Sequence, residues 1–316
     1  LVGSEMCIRD SSATGAVTLS NANNDVDEIN AYAAAALAFT DKDDVTIGDS
    51  GITGTALTMS VGGNLSQTGA ISGTSLNVAA TAGSVNLANP ANDLGTLTVT
   101  NAGRPITFVD ANDLVLGTIT GGAISFAVAG PLTQTGAITG ASLDIINPGS
   151  GDIVLASATN DVDTLTVSNA GNALSFTDKD DLRIGAAGLV AEVIDLKVGG
   201  ALTQSGTIAA TNLTVTATGM PVQLGLANSV GVLSASSAAL TFTNDGPLTI
   251  NRVVATGDVA IAVQNGGDLF VGPDVTPTPL LQTSTKINLT GVTGDVYLLN
   301  GGRIVAPGGV TLAPGK

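Results

Sequence analysis

The feature that most restricts the fold of this chain is an internal repeat that is about 68 residues long, an interval typical of a solenoid. An Asn-Asp-Val/Leu motif begins at Asn24, Asn92 and Asn160, and a weaker Asn-Ser-Val copy begins at Asn228. Other markers recur at close to the same interval: Phe39, Phe108, Phe176 and Phe242, and Gln67, Gln134 and Gln204. Such self-similarity predicts one β-solenoid over 12–316, with repeats at about 16–83, 84–151 and 152–219, a degenerate repeat at 220–287 and a partial unit at 288–316.

Within each repeat, apolar and polar residues alternate in short triplets separated by Gly, Asn or Asp. Alternation with a period of two indicates half-buried strands. Residues predicted to point inward are Leu97, Val99, Phe108, Leu165, Val167 and Phe176, and those predicted to be exposed are Thr98, Thr107 and Thr166. Very short strands suit a coil of roughly 22 residues whose backbone pairs with the coils above and below. The sequence therefore predicts an all-β fold, a parallel β-helix with about three coils per repeat.

Two alternatives to the β-helix agree less well with the repeat. A tandem array of β-sandwiches fits poorly, because the repeat is short for a sandwich of about 100 residues and the strands are too short. The Ala-rich stretch 31–37 favours a helix by propensity. It occupies the repeat position held elsewhere by Val99-Thr100-Asn101-Ala102-Gly103, however, so that a turn followed by a strand is predicted there.

Composition narrows the function classes. Aromatic residues make up 3% of the chain and charged residues 11%, so the core must be built from Val, Leu, Ile and Ala. The net charge of −16 disfavours binding to nucleic acid or to an anionic membrane. The chain has no His, and its one cysteine is Cys7, which excludes imidazole–metal sites and His-dependent nucleophilic triads.

The segment from Leu1 to Ser11 matches no later part of the chain. Met6-Cys7-Ile8-Arg9-Asp10 resembles one reading frame of the mosaic-end adapter used in transposon-based sequencing libraries. The resemblance implies that residues 1–11 are an adapter-derived artefact on a metagenomic fragment, and such scars are excluded from fold reasoning. We therefore expect these residues to pack poorly and not to continue the coil register.

Three acidic turns are the recurrent polar clusters. They contain Asp41, Asp43 and Asp44, then Asp110 and Asp113, then Asp178, Asp180 and Asp181. Carboxylates are the ligands that Ca²⁺ prefers, but Ca²⁺ needs six to eight oxygen atoms and the glycine-rich Ca²⁺-binding nonapeptide is missing from the sequence. Solvated turn acids are the favoured interpretation, and calcium binding stays open. The sequence predicts no catalytic, cofactor-binding or metal-binding residue and no cofactor.

The motifs Asn-Asp-Val-Asp, Leu-Thr-Val-Ser-Asn-Ala-Gly and Leu-Thr-Gln-Thr-Gly resemble the repeats of filamentous haemagglutinin-like exoproteins. Residues 294–300 are similar to that family's Gly-x-Val-x-Leu-Ile-Asn-Pro motif, and residues 302–312 to its Gly-x-Ile-x-Ala-x-Gly-Gly-x-Val-x-Leu coil. The sequence departs from the family at Gly301, where the family has Pro. It is therefore open whether this stretch belongs to the family's secretion domain or to a later coil.

The resemblance implies a structural or adhesive segment of a large secreted or cell-surface protein of a Gram-negative bacterium. Export would use a two-partner or autotransporter route, with an outer-membrane transporter as partner and an unidentified host or neighbouring-cell glycan or protein as receptor. The expectation is a protein without enzymatic activity that neither binds nucleic acid nor inserts into membranes. The alternative is a polysaccharide-active or phage-associated β-helix, which acids and aromatic residues clustered across adjacent coils would favour.

Overall fold

A computed structural model of the chain describes residues 8–13, 15–33, 35–101, 103–272, 281–292, 295–299 and 302–314. The described residues form strands and turns, and none of them is helical. The chain divides into two compact units, residues 1–162 and 163–316, a division that falls inside the predicted third repeat.

The first unit contains short strands throughout. In chain order they are β1 (Ile8–Ala13), β2 (Val17–Leu19), β3 (Glu28–Ala33), β4 (Ala36–Asp41), β5 (Val45–Thr53), β6 (Ala56–Val61), β7 (Leu65–Gln67), β8 (Ile71–Ala80), β9 (Val85–Leu87), β10 (Asp93–Asn101), β11 (Ile106–Asp110), β12 (Leu114–Thr120), β13 (Ala123–Val128), β14 (Leu132–Gln134), β15 (Ile138–Gly140), β16 (Ser142–Ile146), β17 (Ile153–Leu155) and β18 (Asp161–Val162).

The second unit includes longer strands that continue from one side of a coil to the next. They are β19 (Thr164–Asp178), β20 (Leu182–Val198), β21 (Leu202–Gln204), β22 (Ile208–Asp245), β23 (Leu248–Ala255), β24 (Val259–Gln264), β25 (Leu269–Val271), β26 (Leu281–Thr283), β27 (Ile287–Val292), β28 (Val296–Leu298), β29 (Ile304–Val305) and β30 (Val310–Pro314).

Each unit is a parallel β-helix, which confirms the predicted fold class. Strands pair in parallel with the strand about one coil later, as β4 does with β6 and β24 with β27. Parallel pairing lets the backbone groups of one coil bond to the coils on either side, so the short strands need no antiparallel partner. In the part of the chain that the structure describes, no helix is long and apolar enough to cross a membrane.

The strand registers show how the sequence repeat relates to the coil. The inward residues that pair from coil to coil form two ladders in the first unit, and the chain passes alternately through one and the other. Ladder A runs through Leu37, Leu57, Leu76, Leu97 and Leu116, and ladder B runs through Val45, Leu65, Val85, Ile106, Ile124 and Leu143. The numbers of these paired residues show that a coil is slightly shorter than the sequence predicted.

Because the coil is shorter than predicted, equivalent residues of successive repeats lie on different ladders. Between Phe39 on β4 and Phe108 on β11 the chain passes from one ladder to the other seven times, which makes three and a half coils per repeat. Phe39 therefore belongs to ladder A and Phe108 to ladder B. This half coil refines the expected figure of about three coils, and it means that equivalent residues of successive repeats change ladder.

The core consists of the inward residues of both ladders. Leu97, Val99, Phe108, Leu165, Val167 and Phe176 are all buried, as the alternation predicts. Their polar neighbours Thr98, Thr107 and Thr166 are half-buried, whereas the alternation predicted exposure. The reason is that an outward side chain in a β-helix lies against the outward side chains of the coils above and below it.

The Ala-rich stretch contains no helix in its described residues. β3 ends at Ala33 and β4 begins at Ala36, so that the chain forms two strands separated by a short break. The inward positions Ala33 and Leu37 are buried. Repeat context and burial therefore override the helix propensity of alanine.

Residues 8–11 belong to the segment that is expected to stay outside the coil register, and they lie in strand β1. β1 pairs in parallel with β3, with Ile8 opposite Ile29 and Ser11 opposite Ala31, and the register shifts between these two pairs. An open strand edge offers unpaired backbone groups to any extended segment, which explains why pairing needs no sequence match. The expectation for residues 1–7 lies outside the described residues.

Candidate functional site

The first acid of each acidic turn is buried and has a structural role. Asp41 accepts hydrogen bonds from the backbone N–H groups of Val26, at 2.9 Å, and Asp43, at 3.1 Å. Asp110 accepts from Leu94 and Asn112, both at 3.0 Å. Because these carboxylates satisfy buried backbone donors, they stabilise the turn that follows the strand. Asp178 is buried in the same position of the third repeat.

The later acids of these turns are exposed, and the last acid of the first and third turns bonds to the backbone of the next coil. Asp44 accepts from the backbone N–H of Asn64 at 2.6 Å and from its side-chain amide at 3.1 Å, and these bonds lower the pKa of Asp44. Asp181 accepts from the backbone N–H of Ala201 at 2.7 Å. Within the described ranges, no three Asp, Glu, His or Cys side chains form a group that could hold a metal ion.

The buried acid at Asp110 has an unusual protonation equilibrium. Burial raises its pKa to about 6, the two backbone N–H groups oppose the shift, and the nearby carboxylates of Asp93 and Asp113 add to it. The fourth repeat has Asn244 at this position. The Asn244 side chain accepts from the Val230 N–H at 2.9 Å and donates to the Val230 carbonyl at 3.0 Å. An amide can therefore replace the carboxylate in this fold.

Beside the acidic turns, the first unit has an outward column of polar side chains. The registers place Tyr32 opposite Thr53, Thr53 opposite Ser72, and Ser72 opposite Asp93. The four side chains thus stand one above another on four successive coils. The Tyr32 ring is 57% exposed. We name these four residues the first polar column.

The first polar column borders an open groove of about 370 Å³. Gly54 and Gly73 lie beside Thr53 and Ser72 along this groove. A side chain at Gly73 would overlap the Gly54 carbonyl oxygen, and one at Gly54 would contact Leu57. Glycine at these positions therefore allows neighbouring coils to approach closely beside the groove.

The polar column recurs at the repeat interval. In the second repeat the registers align Thr100, Thr120, Thr139 and Asp161, which again gives hydroxyl groups with an acid at the end. The glycines beside the column recur as Gly121 and Gly140. Each repeat contains an extra half coil. Along the chain, the residues of the second polar column therefore come just after ladder A, whereas those of the first come just after ladder B.

The second unit carries the same groove with a different lining. Ser168 aligns with Val190 and Val190 with Ala209, and Ser229 occupies the position of Asp93 and Asp161. Ala209 and Ser229 line a cavity of about 520 Å³. Small apolar side chains here replace the hydroxyl groups of the first two columns. Equivalent grooves in the two units thus have at least two kinds of lining, one rich in hydroxyl groups and one with small apolar side chains.

One aromatic pair in the second unit lies outside the core. Phe270 lies between the buried Leu269 and Val271, so that strand alternation turns its ring outward. It stacks on Tyr297 with ring centroids 5.1 Å apart, and the Tyr297 hydroxyl donates to Asp295 at 3.0 Å. That carboxylate raises the pKa of Tyr297. The pattern Leu-Phe-Val was sufficient to predict the outward ring.

The polar columns were not predicted from the sequence. Asp93 belongs to a repeat marker and Tyr32 is one of two tyrosines, but Tyr32 and Asp93 lie far apart in the sequence. Only the coil length brings them into one column, and a coil of the predicted length would have aligned different side chains. The outward position of each residue was readable from its buried neighbours.

Comparison with known proteins supports a repeat protein. Two segments, residues 34–101 and 103–169, match a family model described as repeats of unknown function (DUF5649). Each matched segment is about as long as the repeat unit of the sequence, and the two together cover less than half of the chain. No curated protein and no solved structure matches the chain. The chain is therefore similar to these repeats and is a repeat β-solenoid.

Proposed function

We propose that this chain is a structural and adhesive segment of a large secreted or cell-surface exoprotein of a Gram-negative bacterium, acting in adhesion, biofilm formation or cell contact. The observation that carries the proposal is the outward column that recurs at the repeat interval, beside grooves that have different linings in the two units. Repeated weak sites on one scaffold raise the overall affinity for a surface that offers many copies of a ligand. Fold alone does not define function, and the grooves are the feature of this fold that favours a binding role.

The partners in this proposal are a glycan or protein on a host or neighbouring cell, and an outer-membrane transporter during export. The net charge of −16 favours partners that are not strongly anionic. The filamentous haemagglutinin-like motifs support the export route and the surface location.

A polysaccharide-active β-helix is the second candidate, because the first polar column contains both an acid and an exposed aromatic ring. Glycoside hydrolysis usually requires two carboxyl groups about 5–10 Å apart on either side of the scissile bond. Asp93 is the one carboxylate among the described residues that line the groove. This lining favours binding without turnover, so we propose a non-enzymatic role.

Adhesion can be tested with beads coated with the purified chain. We expect coated beads to be retained on bacterial biofilm or epithelial layers, and beads coated with a heat-unfolded sample to be washed off. Equal retention of both samples would contradict the adhesive role. Incubation of the chain with a panel of polysaccharides, followed by a reducing-end assay, tests the second candidate, and sustained release of reducing ends would support an enzyme.

A further inference from the structure

The groove beside the first polar column is suited to an elongated ligand. Tyr32, Thr53, Ser72 and Asp93 stand on four successive coils, so that the column is about 14 Å long at ~4.8 Å per coil. The open groove of about 370 Å³ beside the column leaves room for a ligand. A chain-like molecule lying across the coils would contact the four side chains in order.

The side chains of the column are available for hydrogen bonding. The hydroxyl groups of Thr53 and Ser72 make no hydrogen bond to other described residues, and neither does the hydroxyl of Tyr32. A hydroxyl group donates one hydrogen bond and accepts two, which matches the hydroxyl groups of a sugar. The exposed Tyr32 ring adds an apolar face with a polar edge, as sugar rings require of a stacking partner.

The charge of the groove selects among sugars. None of the described residues that line it is Lys or Arg, and Asp93 places a negative charge at one end. The buried Asp110 lies close enough to interact electrostatically with Asp93. The groove should therefore repel sulfated or uronic-acid glycans, and it offers a counter-charge to an ammonium group.

We propose that the groove beside the first polar column binds a linear glycan that carries free amino groups. Tyr32 stacks on a sugar ring, Thr53 and Ser72 hydrogen-bond its hydroxyl groups, and Asp93 pairs with an ammonium group. This inference rests on the proposed adhesive function and names its ligand class. The second polar column has Thr100 in place of Tyr32 and lacks the stacking ring.

The experiment measures binding of the full chain to three probes by calorimetry at mildly acidic pH. The probes are a glucosamine hexasaccharide, its N-acetylated form and a heparin fragment. We expect the glucosamine oligomer to bind at least about tenfold more tightly than the N-acetylated form, which corresponds to one charge-assisted contact. Heparin should not bind. Tighter binding of heparin or of the N-acetylated form would overturn the proposal.

Variants locate the site. Tyr32→Thr introduces the residue that the second column already has, and it should weaken glucosamine binding about tenfold. Asp93→Asn should abolish the preference for the amino form, and Asp161→Asn in the second column is its matched control. Thr100→Tyr should add a second site.

Unchanged binding by both Tyr32→Thr and Asp93→Asn would contradict this groove as the site. Loss of bead retention on every surface would instead contradict the adhesive function itself.

Discussion

Gln67 and Asn92 exchange two hydrogen bonds between neighbouring coils. The Gln67 amide donates to Asn92 Oδ1 at 2.8 Å, and the Asn92 amide donates to Gln67 Oε1 at 3.0 Å. Asn92 is fully buried, and its Oδ1 also accepts from the Ile71 backbone N–H. The same pairing joins Gln134 to Asn160 and Gln204 to Asn228. The most regular sequence markers therefore form polar links in which a buried Asn pairs with a half-buried Gln.

Replacing the buried amide by a carboxylate should break this link. In Asn92→Asp, a negative oxygen would face the carbonyl groups of Leu87 and Val109, which the Asn92 amide now contacts at 3.1 and 3.0 Å. We expect a loss of about 3 kcal/mol or more in the free energy of unfolding, measured with denaturant. The control is Asn86→Asp, an exposed position that should change it by less than about 0.5 kcal/mol. Equal effects would contradict the role of the link.

The buried carboxyl group of Asp110 should make stability depend on pH. Its folded pKa of about 6 lies above the ordinary value of 3.8, so the folded state binds the proton more tightly than the unfolded state. Its contribution is then largest below about pH 4 and is lost as the pH rises through 6, by about 2–3 kcal/mol in total. The measurement is the free energy of unfolding across this range.

Asp110→Asn should remove this pH dependence, because Asn244 shows that an amide fits the position and keeps the bond to the opposite N–H. The difference between the parent and Asp110→Asn isolates the titration of this group from that of the other acids. Asp49→Asn changes an exposed carboxyl group and serves as the control. A parent and Asp110→Asn with parallel pH profiles would contradict the assignment.

The assigned inward face can be tested in the second unit. Phe176 is fully buried opposite Leu196, so Phe176→Ala should cost about 3–5 kcal/mol. Thr166 is half-buried on the outward side, and Thr166→Ala should stay within about 1 kcal/mol. Denaturant unfolding measures both, and limited proteolysis locates the coils that open. If Thr166→Ala were the costlier change, the inward face would be misassigned.

Two glycines with similar backbone conformations should respond differently to alanine. Gly51 and Gly103 have φ angles of 70° and 73°, which alanine adopts at a cost of about 1–2 kcal/mol. A methyl group at Gly51 would also overlap the Ala70 carbonyl oxygen, whereas at Gly103 no described atom lies within 4 Å. We expect Gly51→Ala to cost about 1–3 kcal/mol more than Gly103→Ala in denaturant unfolding. Similar losses would show that the coils can separate at Gly51.

The sequence by itself determined the parallel β-helix, the repeat interval and the inward face of most strands. Alternation carries this information locally, because neighbouring residues of a strand point to opposite sides. Leu97 and Val99 were predicted to be buried for this reason, and the same reasoning predicts that Phe270 faces outward. The acidic turns were also visible, although not the burial of their first acid, which depends on a backbone N–H group that is distant in the sequence.

The tertiary structure decided which residues share a ladder. A small change in coil length accumulates over successive coils, and no local pattern specifies it. The observed coil length makes the repeat three and a half coils long, places Phe39 and Phe108 on different ladders, and aligns Tyr32 with Asp93. Alignment between coils depends on turn geometry and on backbone pairing over long sequence separations, and for this reason the polar columns emerged only from the folded chain.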